Sequence, residues 1–388
     1  MRRECARFAY LDLLRFALSL AVLVYHFFYF GPRCGVLPAD GALDVPALAL
    51  FLFAVEAFFI LSGFVIVLSA ANRDPLDFAI ARLTRLGPCL LVCGSITFIC
   101  LTLWPYPPTP GVGFKSYIAT ILVVPLVRYG GVDWSLWSLK YELLFYGLVF
   151  LGLCGRSVIP IGPRSAITLM LAAEGATLAA RILAQSHSFQ FGSYFIAGVV
   201  LYAARTRRMS WPSMGPLLVI LFPMLAIESW WEINRVNRML GLPEWSAWSG
   251  AWIAAGLIAL VGVSVLSDGA RLGYPARSLI QKLGRVSYPL YVLHQLFGYW
   301  LINRMAASVP LWQAQVITSL IVVGMAWWIA MVLEPPLQRG YRKCGFVLVA
   351  FLRRALPEGR RIARGGSLSY RAASASAAVP AQPGGRAG

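Results

Sequence analysis

Apolar residues along this chain fall in long runs rather than in the alternating or one-sided patterns of soluble strands and helices. Ten runs, at about 9–30, 47–70, 86–104, 136–154, 165–184, 189–204, 215–232, 247–267, 286–306 and 312–334, have the length and apolarity to cross a bilayer core of about 30 Å. Each predicts a transmembrane helix, with 189–204 the shortest. A weaker stretch, 114–127, reads as an interfacial segment inside a long loop. Beyond Arg339 the pattern changes: Arg353 to Arg364 is basic, and Ser367 to Gly388 is rich in Ala, Ser, Gly and Pro. Such a composition offers too little apolar surface to offset the entropy of ordering. The expectation is an all-α polytopic membrane protein with about ten transmembrane helices. Residues 1–340 form the transmembrane domain and 341–388 a basic, disordered cytoplasmic tail, solvated or resting on anionic lipid.

Charge turns this helix count into a topology. Of the 34 Lys and Arg residues, 25 fall in segments that are cytoplasmic if the N-terminus is inside, 6 fall in outer loops and 3 lie within helices. That bias predicts N-in and C-in, and an odd number of helices would scramble it. The net charge of +18 is therefore read as membrane topology, with no nucleic-acid partner. Hydrophobic residues make up 59% of the chain and charged ones 13%, which excludes an ordinary soluble domain. The seven Cys show no zinc-ligand spacing, so neither a metal site nor a disulfide framework is expected. The first apolar run follows basic residues as a signal peptide would. It lacks a small-residue cleavage site and carries ionisable groups, so a retained helix is expected.

Those ionisable groups are the candidate chemistry, because charged side chains in a membrane helix are costly and usually face a bundle interior. In the first helix Arg15 and His26 are 11 residues apart, three turns plus about 20°, so they share a face with Ser19 between them and Asp12 one turn earlier. At 1.5 Å per residue they are also about 16 Å apart along the axis, too far to contact one reacting carbonyl together. The second helix carries Glu56, at a depth matching His26, and Ser62-Gly63, a pair suited to close helix packing. No nucleophile elbow surrounds Ser62. Arg82 and Arg85, one turn apart at the inner mouth of the third helix, suit phosphate as well as topology. In the fourth, Ser135, Ser138, Glu142 and Tyr146 share a face. Glu142 sits about two turns inside, its partner being His26, an Arg of another helix or a substrate hydroxyl. Ser287, Tyr291 and His294 align in the ninth helix, with His294 amid apolar residues, where it touches substrate or ties helices together. His187, in a polar outer loop, reads as solvated.

Taken in order, these segments resemble acyltransferase family 3, the bacterial membrane acyltransferases typified by polysaccharide O-acetyltransferases. The resemblance runs over about residues 8 to 340. It rests on Arg-x10-His (Arg15, His26), the acidic residue with FFxLSGF (Glu56 to Phe64) and Arg-x-x-Arg-Leu-x-Pro (Arg82, Arg85, Pro88). It continues with Trp-Ser-Leu…Glu-x-x-Phe-Tyr (Trp137 to Tyr146), Gly-x-x-Ser-Tyr-x-Leu-Tyr-x-x-His (Gly284 to His294) and Glu-x-Pro (Glu334, Pro336). Each motif is weak alone, and six in order are specific. Two departures are mild: Leu13 replaces the usual Gly of Leu-Asp-Gly-Leu-Arg, and Glu56 the commoner Asp. With no esterase-like domain after the tenth helix, the stand-alone members are the ones resembled.

The resemblance implies transfer of an acyl group, most often acetyl, from acyl-CoA to a hydroxyl of a glycan or lipid-linked acceptor in a bacterial cytoplasmic (inner) membrane. No permanently bound cofactor is implied; acyl-CoA is a co-substrate, and membrane lipid surrounds the protein. His26, Arg15 and Glu142 then become the catalytic candidates, with His26 as general base or transient acyl carrier. Arg82, Arg85 and Ser62 are the donor-binding candidates, and Glu56, Tyr146 and His294 the acceptor-binding ones. The reading is of a path across the membrane, with the donor arginines at one end and His26, Glu56 and Glu142 at the other. The rival class is a transporter or flippase of a glycan or lipid-linked substrate, whose intramembrane Arg, Glu and His would line a permeation route. It lacks the internal repeat common in such proteins.

Overall fold

A computed structural model describes residues 8–71, 73–105, 112–122, 131–155, 162–184, 191–267 and 272–355. His187 and the tail beyond residue 355 lie outside them. Among the described residues every regular element is helical: α1 (Ala9–Val24), α2 (Ala54–Ala70), α3 (Pro75–Leu103), α4 (Phe114–Ile121), α5 (Trp137–Gly155), α6 (Pro163–Ala184), α7 (Gly192–Arg205), α8 (Trp211–Met239), α9 (Ala247–Leu266), α10 (Tyr274–Leu293), α11 (Leu296–Met305), α12 (Leu311–Trp328) and α13 (Glu334–Ala355). The chain divides into two compact units, Met1–Gln338 and Arg339–Gly388. In the second, helix continues past residue 340 as far as Ala355, where composition alone predicts a disordered tail.

Eight helices of the described residues are long and apolar enough to cross a membrane: Ala9–Arg33, Pro46–Ala70, Pro75–Leu103, Trp134–Gly155, Pro163–Leu183, Pro212–Met239, Ala247–Leu266 and Leu311–Phe351. The chain is thus a polytopic all-α membrane protein. The other two predicted spans are also helical but differ in kind. The run at 189–204 forms α7, whose 14 residues reach only about 21 Å. The run at 286–306 is covered by two helices, α10 and α11, which part at His294 and Gln295. Of the stretch 114–127, residues 114–121 form the short α4.

α7 is nonetheless central, because nearly all of it is buried, from Gly192 through Ala203. It lies along α2 more extensively than any other pair of elements touches, and the sequence reason is a pair of glycines. A methyl group on Gly63 would collide with the carbonyl oxygen of Phe195, and one on Gly198 with that of Ile60. The two backbones therefore meet with no side chain between them, the small-residue packing that apolar helices use where water supplies no driving force. Around this contact Phe59, Phe145, Phe191 and Phe195 pack their rings. The second extensive pairing lays α1 against α10, with Asp12 seated on Gly284, where an added Cβ would stand 2.5 Å from the Asp12 Cβ.

Regular helix is interrupted at two places beside the histidines, and by a further π-turn at Ile329–Leu333, between α12 and α13. After Val24, α1 loosens into a π-turn at Tyr25–Phe30, the kind of insertion that frequently marks functional sites in helices. One carbonyl in this turn, that of Phe27, accepts from the buried Gln315 Nε2 of α12 at 2.8 Å. The second break separates α10 from α11. It is held by Asp133, whose two carboxylate oxygens accept from the backbone N–H of Ser135 and of Leu296, each at 2.8 Å.

The glycine contact yields a stability prediction. Gly63→Ala or Gly198→Ala forces α2 and α7 apart and should cost about 3 kcal/mol, the upper end of the overpacking range. Gly147→Ala on α5, where nothing lies within 4 Å of the new methyl, should be neutral or slightly stabilising. Thermal unfolding of the detergent-solubilised protein compares the three.

Candidate active site

Five helices converge on one partly open cavity. α1 supplies Arg15, α2 Ser62, α3 Arg82 and Arg85, α5 Ser138 and Glu142, and α10 Ser287, Tyr288 and Tyr291. The rest of the lining is apolar, including Val55, Phe58, Leu61, Leu139 and Val292. Three guanidinium groups thus share a space that one carboxylate, Glu142, also enters.

Each charge has partners that hold it in place. The Arg15 guanidinium lies 3.5 Å from the Asp12 carboxylate, one turn before it on α1. Arg82 donates to Ser69 Oγ at 2.8 Å and lies 5.6 Å over the rings of Phe78 and Tyr146. Arg85 keeps an accessible side chain within the electrostatic reach of Glu142, Tyr146 and Asp12. Glu142 Oε1 accepts from Tyr146 OH at 2.6 Å and from Ser62 Oγ at 3.4 Å. Two polar atoms at this cavity, Arg82 Nε and Tyr288 OH, are buried with no hydrogen-bond partner among the described residues. A site with donors to spare is suited to an anionic ligand, and guanidinium forks match phosphate oxygens.

His26 and His294 lie outside this lining and meet each other. His294 Nε2 is 3.2 Å from His26 Nδ1, with ring centroids 4.9 Å apart. Each Nδ1 also faces a main-chain oxygen of its own helix, His26 that of Val22 at 2.8 Å and His294 that of Tyr291 at 2.7 Å. A carbonyl oxygen only accepts, so both Nδ1 atoms carry the proton. His294 Nε2 is then a lone pair sharing the His26 Nδ1–H with Val22 O, and the other His26 nitrogen, Nε2, is left basic. The pair requires both irregularities: the π-turn begins beside His26, and His294 stands at the break between α10 and α11. His294 is fully buried while His26 is half-buried.

Comparison with the expected arrangement gives three corrections. Glu142 joins the arginines and touches neither histidine. Counting turns from the outer end places it too far out; the turn at Trp134–Leu136 that precedes α5 already tucks Ser135 and Leu136 into the bundle, each 2% exposed, while Trp134 stays at the surface. Tyr146 acts through Glu142 and does not line the cavity. Glu56, 1% exposed, makes no hydrogen bond to His26. Its Oε2 has no partner among the described residues, and the charges acting on it are Glu232 and Arg235 of α8. Arg15, Arg82, Arg85, Ser62 and Glu142 are brought together as one group, and His26 and His294 as another. Ser19, between Arg15 and His26, directs its hydroxyl to Phe16 O of its own helix.

Asp133 escapes a reading for intramembrane charge, although Asp-Trp-Ser-Leu carries the signal of an Asx cap. Its second bond, to Leu296, joins residues 163 positions apart and has no sequence signature. Helical spacing puts Tyr291 on the right face, but its place as the residue shared by the cavity and the histidine pair is visible only in three dimensions.

A family model described as an acyltransferase domain matches residues 8–331. No curated protein and no solved structure matches the chain. The matched range holds both residue groups and every helix through α12, so the chain belongs to this acyltransferase family and is a multi-pass membrane acyltransferase.

Proposed function

We propose that the protein transfers an acyl group, acetyl in the first instance, from acyl-CoA to a hydroxyl of a glycan or lipid-linked acceptor. The observation that carries this reading is the convergence of Arg15, Arg82 and Arg85 on one cavity whose far wall, Tyr291, adjoins the His26–His294 pair. The arginines bind the donor's phosphates, and the apolar lining accommodates the uncharged arm that carries the thioester. Glu142, held by Tyr146 and Ser62, offsets the mutual repulsion of the guanidiniums when no donor is bound.

His26 Nε2 takes the proton of the acceptor hydroxyl as its oxygen bonds to the thioester carbon. The carbon–sulfur bond then breaks, and the imidazolium returns the proton to the leaving thiolate. His294 accepts from His26 Nδ1–H and keeps Nε2 as the free base. The separation of Arg15 from His26 along α1 matches a donor with anionic and reacting ends far apart. With the N-terminus inside, as the distribution of Lys and Arg supports, the arginine end faces the cytoplasm and His26 the outer side of a bacterial inner membrane. Glu56 lies in that outer half and is the candidate acceptor contact.

Incubating the reconstituted protein with labelled acetyl-CoA and cell-envelope glycans tests the reading directly. His26→Ala should lower label transfer at least about 100-fold, the usual share of general-base catalysis, and Arg15→Ala should also impair it. Full transfer by a folded His26→Ala protein would sink the assignment. Arg82→Ala and Arg85→Ala should each weaken acetyl-CoA binding about tenfold, the value of a hydrogen bond to a charged group. Unchanged affinity in calorimetry would remove them from the donor site. For His294→Ala, kcat should fall while the acetyl-CoA Kd stays constant, since His294 acts on the base and not on the donor. An equal loss in binding would contradict that division.

A further inference from the structure

The donor cavity and the histidine pair are distinct, and Tyr291 adjoins both. Tyr291 lines the cavity; neither His26 nor His294 does. The Tyr291 ring lies 5.6 Å from the His294 ring and edge-on to Phe58 at 5.8 Å. Its hydroxyl is 2.7 Å from Ser138 Oγ and 3.2 Å from the Ser135 carbonyl oxygen, while Ser138 Oγ also donates to Ser135 O at 3.1 Å. The Tyr291 carbonyl accepts from His294 Nδ1. Ser135 in turn is fastened through Asp133 to Leu296, two residues beyond His294. The backbone on both sides of the Tyr291–Ser138 contact is thus pinned, and the side-chain bond is the part free to open.

We propose that the Tyr291–Ser138 hydroxyl pair is a latch on the donor path. Closed, it keeps a bound thioester and cavity water away from His26; opened by rotation of the Tyr291 side chain, it lets the thioester reach the base. Tyr291 is a positioning residue in this scheme, setting when the reacting atoms meet. The need for such a latch follows from the chemistry. The base that activates an acceptor hydroxyl activates water equally well. In that side reaction a water proton goes to His26 Nε2, the water oxygen bonds to the thioester carbon, and the carbon–sulfur bond breaks. The thiolate takes the proton back, leaving a free acid and a thiol, and the donor is wasted. A polar bond across an otherwise apolar wall, made by two hydroxyls that serve no other partner but Ser135 O among the described residues, suits that task.

The latch rests on the proposed acyl transfer, and the test separates the two. Acetyl-CoA hydrolysis without acceptor and acetyl-CoA affinity are measured on the reconstituted full chain for wild type, Tyr291→Phe, Ser138→Ala and the double variant. Loss of the bond should raise the hydrolysis rate about five- to tenfold at unchanged affinity, the effect of removing one buried hydrogen bond from the closed state. The double variant should match Tyr291→Phe, and Ser138→Ala should show the smaller gain, because the Tyr291 hydroxyl still donates to Ser135 O there. Adding His26→Ala should abolish the gain. Should Tyr291→Phe fail to fold, Ser138→Ala, which leaves both ring and histidines in place, carries the same direction of effect, reduced by the remaining Tyr291 bond to Ser135 O. Unchanged or lower hydrolysis in the folded variants, additive effects in the double variant, or a gain that survives His26→Ala would each overturn the latch while leaving the donor site standing. A wild-type protein that neither binds nor turns over acetyl-CoA would instead overturn the functional reading, and the latch with it.

Discussion

Three guanidinium groups inside a helix bundle are the constraint on which the rest of this structure depends. A single unpaired charge at the centre of a bilayer costs about 3 kcal/mol on insertion scales, so a cluster of three survives only with counter-charge and hydrogen bonds arranged around it. Asp12 answers Arg15, Ser69 holds Arg82, and Glu142 stands among all three with Tyr146 and Ser62 fixing its orientation. These charges and partners are spread over four helices, which means the bundle must be assembled before the charges are tolerable. The close approach of α2 to α7 at Gly63 and Gly198 serves the same end from outside, because it sets the α2 backbone that presents Ser62.

The histidine pair solves a different problem. A histidine that is to serve as the proposed base inside a membrane has to stay neutral and keep one nitrogen free, and regular helices offer few polar groups to orient it. Here both rings turn their Nδ1–H onto carbonyls of their own helices, and one ring then orients the other. The irregular backbone nearby is tolerated because its freed groups find partners: Gln315 takes the Phe27 carbonyl, and Asp133 takes the Leu296 N–H. Non-helical backbone at such depth persists only where protein satisfies it. Each break therefore belongs with a buried polar side chain elsewhere in the chain.

Much of this is legible in the order of residues. Ten apolar runs appear as helices, and intramembrane Arg, Glu and His mark the candidate site because burying them is costly. Depth and partner are harder to read. Counting turns from the end of its helix leaves His26, an Arg of another helix and a substrate hydroxyl open as partners of Glu142 and places it at the His26 end, whereas the structure sets it among the arginines. The run at 189–204 reads as a span like the others, yet its helix, Gly192–Arg205, has 14 residues and is buried almost throughout, so its apolar surface faces protein. Apolar runs cannot distinguish these fates, since lipid and protein interior are equally oily.

What the sequence determined by itself was therefore membrane class, helical architecture and which ionisable side chains sit within apolar runs, all of which follow from local composition and the cost of a buried charge. What only the tertiary structure decided was the grouping: arginines with Glu142 in one cavity, His26 with His294 in another place, and Tyr291 between them. The reason is physical. Helical periodicity records a residue's angle on its own helix but carries no information on the offset between helices, and that offset is set by glycine contacts, sunken turns and side-chain bonds between residues far apart in the chain.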